Sequence, residues 1–474
     1  MGATHVVNPG GTPIIKNIAV TGDTVQLLPG AYSGLDLQDI DGINIYLKGV
    51  CTFANGITLG NTRNSNLDGK TQSGDKYGIR LGTGSNLYYP NKGNNVNNTF
   101  SGNWLPAGKV LVFGEGKTVQ WNGQDATLLY KNCKWDYVDM SRGGMAYSGT
   151  YEGSKSYWNA TDLVTISNVV YVGTQVISIY ANSMYRLRLH DWNITGTWNG
   201  DNDQGILYLQ SGNVWMWNIK RNGANFGYLG RVWQVSANNL PYQDTILWNI
   251  IDAGSIHYGT LDGRIDPTML ASTAPIPLKG GDIRMYCGTS ANKQIAGYVA
   301  SALVAYGLLD DQGKTWNYYI DNWFAGGMTG DGGQTNNSSL IKVAGPNVNV
   351  IRGSHCIDFA PNIAIPANYF KDQVSFVPQP NSPLANQGGV ISIPGVDMSV
   401  DIYGVLRGAI WDIGAAESSG SGPVTPTTTK SPTLPTTTTT HAPVQSCAKT
   451  IVTTMDIYDA AGKLMKETKT TTTL

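Results

Sequence analysis

Short runs in which apolar and polar residues alternate recur along most of this 474-residue chain. Three clear examples are residues 161–172 (TDLVTISNVVYV), 212–220 (GNVWMWNIK) and 244–252 (DTILWNIID). Alternation with a period of two residues is typical of β-strands that bury one face. The pattern therefore predicts an all-β body.

An asparagine followed by a residue suited to burial marks a recurring point in these runs. The pairs begin at Asn44, Asn66, Asn132, Asn168, Asn193, Asn218 and Asn249, with separations of 22 residues within the first two and of 36, 25, 25 and 31 within the last five. A propeller blade needs about forty residues, so spacings of 22–25 favour one turn of a parallel β-solenoid. Asparagine tolerates left-handed backbone at a bend, and its amide can bond to the equivalent amide about 4.8 Å away in the next coil.

Two stretches interrupt the repeat, and a tail follows it. Residues 81–120 are polar and glycine-rich, and the spacing in residues 291–309 predicts a helix, so we place loop or helix insertions near 81–120 and 260–340 of a body spanning 1–417. Residues 418–445 read as a Thr/Pro/Ser-rich linker, because they have too few apolar residues to form a core. Residues 446–474 alternate around a turn, which predicts a small C-terminal β-hairpin that docks on something.

Composition excludes several partners. Charged residues are only 14% of the chain, and 32 Lys and Arg nearly cancel 33 Asp and Glu, which argues against nucleic acid as a partner. There is no apolar stretch long enough to span a bilayer, so we expect no membrane insertion. No signal peptide begins the sequence given, and the five widely spaced cysteines indicate neither a disulfide framework nor a zinc site. We expect no cofactor, with structural Ca²⁺ at Asp-Gly turns left open.

Aligning the coils on asparagine places three tryptophans, Trp192, Trp217 and Trp248, in one slot. Met216 and Leu247 next to them should point inward, so we expect the tryptophans to form a column on the outer wall. Indole rings stack on sugar faces, and the candidate carbohydrate-binding residues are Trp192, Trp217, Trp248, Trp198 and Trp215. A column covered by a loop such as 196–205, or one used in a subunit contact, remains an alternative.

Acidic and basic residues cluster near these tryptophans in the sequence. Glycoside hydrolysis needs two carboxyl groups about 5–9.5 Å apart, and β-elimination needs a base and a cation. The candidate catalytic residues are Asp201, Asp203, Asp252, His257, Asp262 and Arg264. Asp-Gly loops are equally expected as plain turns. His355 is interpreted as a wall residue, with a role as a base as the alternative.

Two stretches carry a family resemblance. Residues 22–32 (GDTVQLLPGAY) resemble the phrase that opens right-handed parallel β-helix proteins of the pectate-lyase-like superfamily. Residues 382–417, here named the closing segment, resemble the end of choice-of-anchor-type members, with Asp401, Gly404 and Arg407 followed by DIGAAE at 412–417. The resemblance implies a right-handed parallel β-helix, and it implies no particular chemistry because the superfamily includes lyases, hydrolases, phage tail spikes and inert adhesins.

Three functions fit these patterns. The first is a virion-surface protein similar to a phage tail spike, a homotrimer by that resemblance, which engages and could degrade host-surface polysaccharide. The second is a secreted polysaccharide lyase or glycoside hydrolase. The third is a non-catalytic adhesin or structural filament protein at an extracellular surface. Whether a bond is broken stays open at this stage.

Overall fold

The structure is a computed structural model. It contains two compact units, residues 1–428 and residues 429–474. It describes residues 2–70, 76–81, 88–90, 95–104, 110–112, 130–131, 133–139, 145–147, 164–171, 179–182, 187–195, 207–210, 214–222, 228–233, 244–255, 259–265, 282–293, 301–307, 316–327, 340–343, 348–360, 362–418, 450–458 and 464–473.

The described residues form β-strands and one 3-10 turn, Ile15–Asn17. The first strands are β1 (Thr4–Val7), β2 (Thr24–Leu27), β3 (Gly30–Tyr32), β4 (Leu35–Asp36), β5 (Asn44–Leu47), β6 (Cys51–Phe53), β7 (Ile57–Leu59), β8 (Asn66–Asp68), β9 (Ile79–Leu81), β10 (Tyr88–Pro90), β11 (Asn95–Val96), β12 (Thr99–Trp104), β13 (Val110–Val112), β14 (Tyr130–Lys131), β15 (Cys133–Asp139) and β16 (Met145–Tyr147). The later strands are β17 (Val164–Tyr171), β18 (Ile179–Asn182), β19 (Leu187–Ile194), β20 (Leu207–Gln210), β21 (Val214–Arg221), β22 (Tyr228–Trp233), β23 (Thr245–Ser255), β24 (Gly259–Ile265), β25 (Ile283–Lys293), β26 (Ser301–Gly307), β27 (Trp316–Ala325), β28 (Ile341–Val343), β29 (Val348–Arg352), β30 (Ile357–Asp358), β31 (Thr450–Tyr458) and β32 (Leu464–Thr473).

In the first unit, the named strands pair only in parallel, each with the corresponding strand of a neighbouring coil. Seventeen of them form one sheet, and β18, β20, β22, β24, β26 and β28 form a second, six-stranded sheet. The length of a coil varies along the chain, since Thr4 pairs with Thr24 near the start whereas Thr245 pairs with Ile283 in a much longer coil. The fold is the all-β, right-handed parallel β-helix that the repeat and the resemblance predicted.

The long strands of the large sheet bend at one residue with left-handed backbone. Asn168, Asn218, Asn249 and Asn322 have φ of 50–52°, and Asp191 in the corresponding place has φ of 58°. The strand register skips these residues, so the sheet turns a corner at each of them. The predicted role of asparagine at the bend is confirmed at Asn168, Asn218 and Asn249. Asn193 lies two residues past the bend, and Asn44 and Asn66 begin strands.

The two predicted insertions contain ordinary coil strands where the structure describes them. In the first, β12 pairs in register with both β8 and β15. In the second, residues 283–293 and 301–307 are β25 and β26, so the predicted helix over 291–309 is wrong. A short apolar run fits both periods, and parallel pairing with the coils on either side determines the outcome.

The interior of the β-helix is filled by inward side chains stacked coil upon coil. Leu189, Met216, Leu247, Met285 and Ile320 occupy paired positions of successive strands, and each is fully buried. Each such side chain contributes on the order of 1.5–3 kcal/mol when removed from water. This column confirms that the residues next to Trp217 and Trp248 point inward, which turns those two tryptophans outward.

The second unit contains the predicted hairpin. Strands β31 and β32 pair antiparallel from Thr450 opposite Thr473 to Tyr458 opposite Leu464. Residues 419–449, which include most of the predicted linker, lie outside the described residues. Within the described parts of the chain, no helix is long and apolar enough to cross a membrane.

Candidate functional site

The strand register corrects the predicted tryptophan column. Asp191, not Asn193, occupies the bend that Asn218 and Asn249 occupy in the next coils, so the alignment on asparagine was two residues out in that coil. Trp192 therefore pairs with Ile219 and points into the core, where it is 1% exposed. The residue that shares the outer slot with Trp217 is His190.

The outer column contains stacked aromatic rings, but His190 takes the place that the sequence analysis assigned to Trp192. His190 lies parallel to Trp217 with ring centroids 4.2 Å apart, and Trp217 lies parallel to Trp248 at 4.8 Å. Tyr286 and Asp321 occupy the next two positions of the same register. The imidazole of His190 is held from the side by the Asp191 carboxylate, 2.6 Å from Nδ1. Aromatic rings in such contact add roughly 0.5–1.5 kcal/mol per pair to their area burial.

The closing segment covers this column. Met398 and Trp411 pack in one buried cluster with Trp217 and Trp248, joined by Ile391, Ile393 and Val396. As a result Trp217 is only 8% and Trp248 only 2% exposed. Residues 391–411 provide this cover, whereas the loop at 196–205 that the sequence suggested lies outside the described residues. These two indoles present no free face to a polysaccharide in this structure.

Of the other two predicted carbohydrate-binding residues, Trp215 is half-buried and Trp198 lies outside the described residues. The Trp215 ring packs edge-on against Trp248, with 6.3 Å between centroids, and the Arg188 guanidinium carbon lies 3.9 Å from the Trp215 ring centroid. Trp215 thus forms the margin of the covered column.

Asp252 is part of the core rather than of a catalytic loop. It lies within β23 and pairs with Arg221 of β21, at 2.6 Å from Nε to Oδ1 and 2.8 Å from Nη2 to Oδ2. Both side chains are completely buried. A carboxylate held by a two-pronged ion pair in the interior has no access to substrate, so the structure does not support Asp252 as a candidate catalytic residue.

The remaining predicted catalytic residues are not brought together by the described structure. Asp262 and Arg264 lie on β24 of the six-stranded sheet, opposite Arg231 and Trp233 of β22, whereas Asp252 lies in the large sheet. Asp201, Asp203 and His257 lie outside the described residues. Within the described coils and closing segment, no group of three His, Cys, Asp or Glu side chains could hold a metal ion.

The bend asparagines form part of an amide ladder. The Asn218 amide donates to Asp191 Oδ1 at 2.9 Å, and the Asn249 amide donates to Asn218 Oδ1 at 3.1 Å. Asn168 donates to Asp136 Oδ1 at 2.6 Å instead of to an amide. The stacking predicted from the repeat therefore occurs in the middle coils, with aspartate oxygens among the acceptors.

Two members of this row hold the closing segment. The Asn322 amide exchanges hydrogen bonds with the Gly389 backbone, donating to its carbonyl at 2.5 Å and accepting from its N–H at 2.8 Å. The Asn249 amide also donates to the Val400 carbonyl at 2.9 Å. Both asparagines are at most 1% exposed. The side-chain amide can bond to the backbone in this way because, like a peptide group, it carries both N–H donors and a carbonyl acceptor.

Charged residues of the closing-segment motif organise the segment itself. Arg407 pairs with Glu417 and donates to the Ala415 carbonyl at 3.2 Å, and its guanidinium carbon lies 5.1 Å from the Trp411 ring centroid. Asp401 accepts backbone N–H bonds from Tyr403, Val405 and Glu417. Burial raises the pKa of Asp401, and it raises the pKa of Glu417 to about 7 against the opposing effect of Arg407. Asp401, Arg407 and Glu417, here named the latch, therefore have a structural role in holding the closing segment.

A different set of aromatic residues lies half-buried on the outer side of the earlier coils. Trp104 of β12 has the Arg80 guanidinium carbon 5.0 Å from its ring centroid, and Tyr137 of β15 has the Lys70 amine at 4.1 Å. Sequence reasoning missed both residues, because Trp104 falls in the supposed insertion and Tyr137 occupies the bend position where asparagine was expected. Its φ of 52° matches that of Asn168 in the next coil.

Asp136 links Tyr137 to the neighbouring coil. Its carboxylate accepts from Ser167 Oγ at 2.9 Å and faces the Lys134 and Lys70 amines at 3.2 and 3.7 Å. Burial acts to raise the pKa of Asp136, but Lys134 and the hydrogen bonds outweigh it and lower the pKa below the ordinary value. This part of the wall thus combines two aromatic rings, three cations and one carboxylate.

Comparison with protein families, with curated proteins and with solved structures found no match to this chain.

Proposed function

We propose that this β-helix acts at a virion or other extracellular surface and binds polysaccharide of a host cell along its wall, in the manner of a phage tail spike. The observation that carries this proposal is the pair of half-buried rings Trp104 and Tyr137 on neighbouring coils, each beside a cation. Sugar faces stack on aromatic rings while nearby charged and amide groups bond to hydroxyls. The low charge of the chain, 14%, suits a neutral or weakly charged glycan.

The wall supports an extended ligand because its rows repeat at a regular rise. Neighbouring parallel strands lie about 4.8 Å apart, so chemically similar groups recur along the solenoid axis. Trp104 pairs with Asp139 of the next coil, and Tyr137 lies at the bend of that same coil. A polysaccharide chain laid across these coils would meet both rings.

Binding of purified capsular and surface polysaccharides, measured by calorimetry across a panel of bacterial hosts, tests the proposal. Replacing Trp104 or Tyr137 with Ala should weaken binding by roughly two- to tenfold, the value of one ring contact. Tyr403→Ala is the matched control, because Tyr403 also has a lysine near its ring, Lys220 at 5.4 Å, but lies in the closing segment. Equal affinities in all three variants, or no binding to any glycan, would refute the proposal.

A homotrimer follows from the likeness to tail spikes and is part of the same proposal. Light scattering at micromolar concentration should give about three times the 50.9 kDa chain mass. A monomer would contradict the tail-spike assignment and would favour a secreted enzyme.

A further inference from the structure

A row of hydroxyl, imidazole and carboxylate groups lies on the described surface away from Trp104 and Tyr137. Ser354 Oγ is 3.3 Å from His355 Nε2, and His355 Nδ1 is 3.3 Å from Asp321 Oδ2. The His355 and Asp321 side chains are 36% and 23% exposed, so solvent reaches both. The row lies where β27 meets the turn after β29, since Asp321 is in β27 and Ser354 is the second residue after Arg352, which ends β29.

The order of the groups matches the roles needed for a nucleophilic hydroxyl. With its proton on Nδ1, His355 donates to Asp321 and leaves Nε2 free to accept the proton of Ser354. Such a constellation is recognised by geometry and roles rather than by sequence position. Both contacts are long for hydrogen bonds, and catalytic hydrogen bonds often tighten only when substrate binds.

The surroundings hold the imidazole and the carboxylate in place. Asp321 Oδ1 accepts the backbone N–H groups of Asn322 at 2.9 Å and His355 at 3.1 Å, which fixes the carboxylate plane. Gly353 lies against that carboxylate so closely that a Cβ there would be 2.0 Å from Asp321 Cγ. A Cβ on Gly389 would lie 2.5 Å from His355 Cε1. Both glycines are therefore needed for this arrangement. Catalytic side chains have to be held in place by the residues packed around them, and the close packing of these glycines contributes to that.

We propose that Ser354, His355 and Asp321 form a serine-hydrolase site for carboxylic esters, and that its substrate is an O-acyl group on the polysaccharide. Ester hydrolysis stands on the geometry alone, whereas the choice of an acylated polysaccharide rests on the proposed function. Ser354 and His355 are the catalytic residues, and Asp321 is a positioning residue because it acts on the reacting hydroxyl only through His355.

The reaction balances without an added oxidant or metal. Ser354 Oγ attacks the ester carbonyl carbon and passes its proton to His355 Nε2. The bond from that carbon to the sugar oxygen breaks, and the sugar hydroxyl leaves with this proton. Water then attacks the acyl-serine and gives a proton to His355, and the proton returns to Ser354 Oγ as the carboxylic acid leaves.

The first experiment uses the full chain with p-nitrophenyl acetate and with a fluorophosphonate probe followed by peptide mass spectrometry. The probe should label Ser354, and Ser354→Ala should lower kcat/KM by at least about 100-fold. Asp321→Asn should lower kcat with little change in KM while the urea unfolding midpoint stays unchanged, and the unchanged midpoint distinguishes a positioning role from loss of folded protein. Ser375→Ala is the control, because Ser375 Oγ bonds to a carboxylate, Asp372 Oδ2 at 2.6 Å, with no imidazole between them.

The outcomes separate the two parts of the proposal. Absence of both labelling and ester hydrolysis, or hydrolysis unchanged in Ser354→Ala, would overturn the hydrolase site. The second experiment measures acetate release from an O-acetylated polysaccharide that the protein binds. Release that disappears in Ser354→Ala supports the substrate. Cleavage of p-nitrophenyl acetate without release of acetate from the polysaccharide would overturn the proposed substrate. Loss of polysaccharide binding in Trp104→Ala is measured separately, by calorimetry.

Discussion

The Arg407 guanidinium donates a hydrogen bond of 2.9 Å to the side-chain oxygen of Asn249, 158 residues earlier in the chain. Asn249 is a bend residue of the β-helix, and Arg407 belongs to the closing segment. One contact therefore joins the repeat of the body to the motif that ends it. The contact explains why a buried asparagine and a buried arginine occur together: each satisfies a polar group of the other that water cannot reach.

Loss of Arg407 should release the closing segment. Arg407→Ala leaves Glu417 and Asn249 buried without their partner, so we expect a loss of about 3–5 kcal/mol in the free energy of unfolding. Urea denaturation followed by tryptophan fluorescence measures it. Arg352→Ala is the control, since the Arg352 side chain is 44% exposed and its contact with Asp358 at 3.5 Å should contribute less than about 1 kcal/mol. Similar losses in both variants would contradict the latch.

Ionisation of Glu417 should weaken the same latch as pH rises. Its pKa is about 7 in the folded protein, above the ordinary 4.5, so the folded state holds the proton more tightly than the unfolded state. Stability from this group is therefore fully present below about pH 4.5 and is lost as pH rises through about 7. The difference in unfolding free energy between the wild type and Glu417→Gln, measured from pH 4 to pH 8, should change across this window. A difference that is constant with pH would refute this prediction.

The ion pair inside the β-helix should behave as structure and not as catalytic machinery. Arg221→Met removes the guanidinium that forms a two-pronged ion pair with the buried Asp252 carboxylate, which should cost about 3–5 kcal/mol. The double variant Arg221→Met with Asp252→Leu should regain most of that loss, because two apolar side chains can replace a buried pair at little cost. Thermal and urea unfolding test both. A double variant as unstable as the single one would contradict this account.

Trp217 and Trp104 should respond in opposite ways to truncation. Trp217→Ala removes a ring stacked between His190 and Trp248, so stability should fall by about 3–5 kcal/mol while polysaccharide affinity at low temperature stays unchanged. Trp104→Ala should lose affinity with a smaller loss of stability, because its ring is only half-buried. Unfolding curves and binding calorimetry on both variants test this contrast between stability and affinity. Affinity lost on truncating Trp217 would restore the indole column as the glycan surface.

The sequence predicted the fold better than the site, for a physical reason. Bends need left-handed backbone in every coil, so Asn168, Asn218 and Asn249 repeat in the sequence and reveal the solenoid. Asp191, Cys287 and Tyr137 are bend residues with the same left-handed backbone, although they are not asparagine. Taking Asn193 as the bend residue of its coil therefore led to the wrong prediction that Trp192 lies on the outer wall. The alternation changes phase at the bend, so an error of two residues in the position of the bend assigns Trp192 to the wrong face.

Contacts made by the closing segment were beyond sequence reasoning. The motif around Asp401, Arg407 and Glu417 was recognisable, but nothing in it tells which coil it contacts. Burial of Trp217 and Trp248 depends on a segment much later in the chain, which places Met398 and Trp411 over the rings. The Asp252 carboxylate looked available because Arg221, its partner, lies 31 residues away in the previous coil.

A double-mutant cycle between Asn249 and Arg407 tests the central claim most directly, since it asks whether the closing segment is bonded to the bend of the β-helix. The unfolding free energies of the wild type, Asn249→Ala, Arg407→Ala and the double variant give the coupling energy. We predict a coupling of at least about 1 kcal/mol, within the range for residues in direct contact. Additivity within about 0.3 kcal/mol would mean that the two side chains do not meet, and the latch described above would be wrong.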